Sequence, residues 1–137
     1  MSQRLIVCGA GVIGSNLAKY LAEEGHEVTL IEQKPNVAER ASEKLDVQVK
    51  VGSAFDPQVL AEAGARRADM VIAVTNSDVV NLAICSLAAA FGARKMIARV
   101  RDMALSEMVE RHGHEHFHVD EIINPDEVTA QTIVKVM

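Results

Sequence analysis

Aromatic residues are scarce in this 137-residue chain: tryptophan is absent, and three Phe and one Tyr are all that remain. So few flat faces leave little for the stacking of unpaired bases. Basic residues are also outnumbered, 14 Lys and Arg against 19 Asp and Glu, for a formal net charge of -5. The cations are scattered, so no continuous positive surface exists to displace counterions from a phosphate backbone, and nucleic acid is excluded as a partner. Cysteine occurs twice, as Cys8 and Cys85, each inside an apolar run where a thiol behaves as a small buried hydrophobe. That count excludes a disulfide framework and fits a reducing, cytoplasmic compartment. No apolar run approaches the roughly 18 residues of a membrane span. The opening Met1-Ser2-Gln3-Arg4 leads straight into a short apolar run and lacks the long apolar region of a secretory leader. A cytoplasmic chain with no direct membrane insertion is expected.

What is present is an ordinary globular composition, 49% hydrophobic and 24% charged, in a length that suits one domain. Short apolar runs over 4–8, 27–31, 47–51, 70–74, 96–100 and 119–123 have strand length. Between them, 13–24, 37–44, 57–63, 78–91 and 104–111 carry helical periodicity. Strand and helix therefore alternate throughout. This predicts an α/β fold, a Rossmann-like doubly wound sheet of six parallel strands. Asp56-Pro57 and Asn124-Pro125 read as helix starts, and Gly25, Gly64 and Gly92 as helix stops. The helix over 78–91 is apolar on most sides, so it is either sandwiched in the core or covered by a partner. The chain divides into a nucleotide-binding domain over 1–124 and an amphipathic helix over 125–137, as though cut inside or just after that helix.

The chemistry is concentrated in Gly9-Ala10-Gly11-Val12-Ile13-Gly14, which follows the first strand directly and opens the first helix. In that context Gly9 permits a tight turn, Gly11 lets a pyrophosphate approach the backbone, and Gly14 lets the helix lie close to the sheet. The helix start then offers free N–H groups and positive potential to phosphate. Glu32 stands 18 residues after Gly14, at the end of the second strand, placed to accept hydrogen bonds from both ribose hydroxyls of an adenosine. Its charge disfavours a 2′-phosphate, and the adjoining Gln33 and Lys34 complete that strand end. Gly52, Ser53 and Ala54 follow the third strand, where the latter two are placed to flank an adenine. Thr75, Asn76, Ser77 and Asp78 follow the fourth, on the phosphate side, although Ser77 and Asp78 serve equally well as helix caps. Arg99 and Arg101 lie at the end of the fifth strand, where one of them is expected to reach a terminal phosphate.

Taken together, the glycine loop, Glu32, GSAFDP, ADMVIAVTNSDVVNLAICSLAAAFGARKMIARVRD and HVDEIINPDEV resemble the nucleotide-binding RCK or KTN domain of Trk/Ktr potassium-transport regulators. The resemblance covers nearly the whole chain. It implies a cytosolic domain that binds NAD(H) or ATP/ADP, forms homodimers or larger rings, and gates a membrane potassium channel or transporter subunit. It implies also that the segment from Pro125 is a crossover helix pairing subunits. Val12 and Ile13 stand where ATP-favouring members often carry an arginine, and Ser53 where Asp or Asn is common, so ATP and NAD remain alternatives.

His112, His114, His116 and His118 depart from the family pattern. In an extended chain the last three would share one face able to hold Zn²⁺ or Ni²⁺, but solvated loop histidines are expected. An NAD-dependent oxidoreductase would use the same glycine loop. It would need a catalytic set, and the sole tyrosine, Tyr20, has no lysine four residues later. A ligand sensor requires only that bound nucleotide favour one subunit arrangement, and a regulator of another transporter built on the same domain is the third alternative.

Overall fold

The computed structural model describes residues 2–123 together with 133, 134 and 137. Six strands form one sheet: β1 (Arg4–Cys8), β2 (Glu27–Glu32), β3 (Gln48–Val51), β4 (Met70–Ala73), β5 (Met96–Arg99) and β6 (Glu121–Ile123). They lie in the order β3-β2-β1-β4-β5-β6, and every neighbouring pair is parallel. The connecting helices are α1 (Val12–Glu23), α2 (Pro35–Lys44), α3 (Pro57–Glu62), α4 (Asp78–Phe91) and α5 (Met103–His112). The doubly wound fold expected from the sequence is present, with element ends displaced by no more than about two residues, the usual fraying range. A 3-10 turn at Ala65–Arg67 and a single π-helical turn at Gly113–Phe117 were not expected.

Alternation along each strand sorts side chains to the two faces. Leu5, Val7, Leu30, Ile72 and Ile97 pack with Leu17, Ala18 and Leu21 of α1 and Ala41 of α2, and Ile133 is buried in the same cluster. Ile6, Cys8, Val71, Ala73 and Ala98 pack on the other side with Leu60 of α3, Ile84, Cys85 and Ala88 of α4, and Val109 of α5. Because both faces are covered, the central strands read as unbroken apolar runs.

Local chemistry stops and starts the helices where the sequence indicated. The Asp56 carboxylate accepts the Gln58 N–H at 2.9 Å to cap α3, with Pro57 at its first position. Gly92 closes α4 in the left-handed region at φ +99°. The Asn124-Pro125 helix start and the crossover helix over 125–137 lie outside the described residues. Helix α4 resolves its two alternatives in part. It buries Leu82, Ile84, Cys85 and Ala88 against β4 and β5, while Val79 on its first turn stays 71% exposed. Among the described residues no helix is long and apolar enough to cross a membrane.

Burial pushes the Cys85 thiol up to about 12, the Asp120 charge adding to the effect, and raises Cys8 as well. Thiolate is the reactive form. Neither cysteine should therefore react with an aromatic disulfide reagent at pH 8 in the folded chain, and both should react after unfolding in guanidinium. Prompt colour release from the native protein would contradict this packing.

Candidate functional site

A cleft of about 540 Å³ opens at the carboxyl ends of the strands, over the point where strand order reverses between β1 and β4. Doubly wound sheets place ligands there. Its walls come from five segments: Gly9, Gly11, Val12, Ile13 and Gly14; Glu32, Gln33 and Lys34; Gly52, Ser53 and Ala54; Thr75 and Asn76; and Arg99. All of these were singled out in the sequence. Ile31, Val37, Val74, Val80 and Ile84 also line it and were not, because an apolar side chain at a strand end or in a helix looks like any other core residue.

The β1–α1 turn is shaped by two glycines with different duties. Gly9 adopts φ +108° and donates its N–H to the Ile31 carbonyl at 2.9 Å. A Cβ on Gly14 would overlap that same Gly9 carbonyl, so α1 can rest on the turn only with glycine there. Gly11 is different: a Cβ on it would meet nothing within 4 Å, because it faces the open cleft. Helix α1 starts at Val12 with no side-chain cap, which leaves the first-turn N–H groups and the positive end of the helix toward the cleft.

Three expected site residues do not line the cleft. Ala10 is buried, its N–H donated to Glu32 and its carbonyl accepting the Ser15 hydroxyl at 2.9 Å. Ser77 is used as the α4 cap, its Oγ accepting the Val80 N–H at 3.2 Å. The Asp78 carboxylate accepts the N–H groups of Arg101 at 3.0 Å and Asp102 at 2.9 Å, tying α4 to the start of α5. For Ser77 and Asp78 the structural duty explains the residue type.

Glu32 carries a task beyond the expected one. Its Oε1 accepts the Ala10 N–H at 2.8 Å and its Oε2 accepts the Lys34 N–H at 2.9 Å, so one carboxylate joins the glycine loop to the start of α2. Each oxygen keeps further acceptor capacity.

Of the two arginines on β5 and beyond, Arg99 is the one that faces the cleft. It is 6% exposed, donates weakly from Nη1 to the Thr75 carbonyl at 3.4 Å, and its buried Nε has no partner among the described residues. Among the described residues no carboxylate lies within ion-pair distance of it. Burial lowers its pKa from the ordinary arginine value, the Arg101 charge lowering it further and Asp78 opposing both. Arg101 is exposed and borders a separate groove beside Met103 and Ser106.

Asn81 was overlooked by sequence reasoning and holds this end together. It is fully buried. Its Oδ1 accepts the Thr75 N–H at 2.9 Å and the Thr75 hydroxyl at 2.6 Å, and its Nδ2 donates to the carbonyls of Thr75 at 3.2 Å and Arg99 at 2.9 Å. Both donors and both acceptor positions are filled.

The histidine run lies at the end of α5, outside the cleft lining. The shared face expected for His114, His116 and His118 in an extended chain does not form, because 113–117 is a helical turn and His118 enters the left-handed region at φ +56°. His114 Nδ1 instead lies 3.4 Å from Asp120, and the rings of His112 and His116 meet at 5.6 Å.

The TrkA-N domain model matches residues 5–125. This chain belongs to that family. Relatives of the TrkA-N domain include the Trk system potassium uptake protein TrkA of Halomonas elongata, 35% identical over 95% of this chain. The TrkA homolog of Methanothermobacter thermautotrophicus is 32% identical over 97% of it. The chain spans 29% of the length of the first relative and 59% of the second. Among solved structures, the GsuK channel bound to NAD superposes with a TM-score of 0.75 at 20% identity, over 90% of this chain and 21% of that one. The Shewanella denitrificans Kef C-terminal domain in its AMP-bound form gives 0.73 at 20% identity, over 97% and 76%. The TrkA-N domain of the inner membrane protein ybaL from Escherichia coli gives 0.78 at 17% identity, over 100% and 98%. These likenesses establish the fold.

Asn81→Leu should lower stability in a urea melt by about 1–3 kcal/mol, the cost of stranding buried polar groups. Gly14→Ala should cost about 3 kcal/mol or more, since backbone must move, whereas Gly11→Ala should stay within about 1 kcal/mol of the parent. Equal losses at the two glycines would contradict the turn geometry.

Proposed function

We propose that this TrkA-N domain is the nucleotide-sensing, non-enzymatic part of a cytosolic regulator that gates a membrane potassium channel or transporter. The observation that carries this is Arg99, a buried guanidinium whose Nε has no partner among the described residues, on the wall of a cleft whose opposite wall is a glycine loop at a helix start. A phosphate group would satisfy both at once. In this arrangement the phosphates of NAD(H) or ATP/ADP lie between the α1 N-terminus and Arg99. The remaining acceptor capacity of Glu32 takes the ribose hydroxyls, and Ala54, Ile31 and Val37 give the adenine apolar walls. The NAD in GsuK and the AMP in the Kef domain support the same ligand class.

A sensor is favoured over an oxidoreductase by what lines the cleft. Among the described residues its titratable side chains are Glu32, Lys34 and Arg99, with no His, Cys or Tyr to hold or move a proton. The Tyr20 hydroxyl is engaged elsewhere, donating to Glu24 at 3.2 Å. A regulator needs nucleotide affinity to differ between two subunit arrangements. Exposed Val79 and Met103, at the starts of α4 and α5, offer apolar surface for a homodimer or ring.

Thermal melts with ATP, ADP, AMP, NAD, NADH and NADP test the site directly, because a ligand at a hundred times its Kd stabilises by about 2.7 kcal/mol. At least one of the first five should raise Tm by several degrees, with NADP weaker because of Glu32. Gly11→Asp should fold and lose the shift; Arg99→Gln should weaken ATP and ADP more than AMP. No shift with any nucleotide would sink the proposal. Light scattering should show dimers or rings, and a monomer both with and without nucleotide would remove the assembly half.

A further inference from the structure

Four of the five histidines fall within 112–118, where the last turn of α5 runs into the π-helical turn, and all four are exposed. They do not act as one group. His114 is turned to Asp120, and His118 sits past the turn in left-handed backbone. His112 and His116 are one helical turn apart on the same side, ring centroids 5.6 Å apart and planes at 61°.

That separation is close to what a shared metal requires. Two imidazole nitrogens held at about 2.0–2.1 Å from one tetrahedral ion put their ring centroids about 5.2 Å apart. Closing the gap takes a few tenths of an ångström from two solvated side chains with free torsions. Paired histidines four apart on a helix are a recurrent metal-binding spacing. Glu115 adds a carboxylate oxygen 3.8 Å from His116 Nε2, which favours a cation at that nitrogen. No three His, Cys, Asp or Glu side chains converge among the described residues, so the protein supplies two nitrogens and water fills the other positions.

From this geometry we infer that His112 and His116 form a two-histidine surface site for a borderline divalent transition metal, Zn²⁺, Ni²⁺ or Cu²⁺. Imidazole suits these ions, whereas Ca²⁺ and Mg²⁺ require oxygen ligands. The site is separate from the nucleotide cleft and stands whether or not that cleft binds nucleotide.

Calorimetric titration of the 137-residue chain with NiCl₂, ZnCl₂ and CaCl₂ in a non-chelating buffer tests it. One saturable Ni²⁺ or Zn²⁺ site per chain is expected, and no saturable heat with Ca²⁺. His112→Ala and His116→Ala should each weaken binding by roughly tenfold or more, while His114→Ala and His118→Ala leave it within about twofold. The four side chains are exposed, so the variants should keep the parent melting temperature. Absence of saturable heat with both transition metals would overturn the inference. So would losses from His114→Ala or His118→Ala as large as those from the proposed pair.

Discussion

The first turn of α1 rests against the Gly9 carbonyl with no room for a side chain at Gly14, and that contact fixes where the helix points. From it follow the placement of the uncapped N–H groups over the cleft and the depth at which α1 buries Leu17 and Leu21 on the sheet. A helix lifted by one side chain would lose the packing of that face and swing its positive end away from the switch point. Fold and site thus share a single steric requirement.

Around this contact the loops are held by side chains more than by the sheet. Glu32 gathers two backbone N–H groups from different turns, Asn81 fills four hydrogen-bonding positions between the ends of β4 and β5, and Asp78 gathers two more N–H groups beyond β5. Bonds to a charged acceptor are worth about 1.5–3 kcal/mol each. Every turn after a central strand is therefore braced in advance, and its cleft-facing groups incur little ordering cost when a ligand arrives.

How much of this was legible depended on whether a residue type had one physical explanation or several. Gly9, Gly11, Gly14 and Glu32 were legible because strand, glycine turn and helix follow one another without a gap. The alternation of apolar runs with helical stretches likewise led to the six-stranded doubly wound parallel sheet that is observed. Asn81 was not legible: a polar residue inside an apolar helix reads as a wet position until the fold puts it under two strand ends. Arg99 and Arg101 are two apart and share a strand parity, so alternation could not separate them; what does is that β5 ends at Arg99 and leaves Arg101 outside the cleft. For the histidine run the expected solvated side chains are found, all four exposed, while the extended alternative does not form because Gly113 packs against the Val119 carbonyl and the chain stays helical for another turn.

The stretch from Arg99 to Asp102 is short and has no slack. The Val100 N–H is held by the Ile123 carbonyl, those of Arg101 and Asp102 by Asp78, and Asp102 in turn caps α5 through the Leu105 N–H at 2.8 Å. Three successive amides pinned in this way make a push-rod rather than a hinge. The backbone between the guanidinium inside the cleft and the first turn of α5, where Met103 stands 78% exposed at the surface, therefore has little freedom to bend.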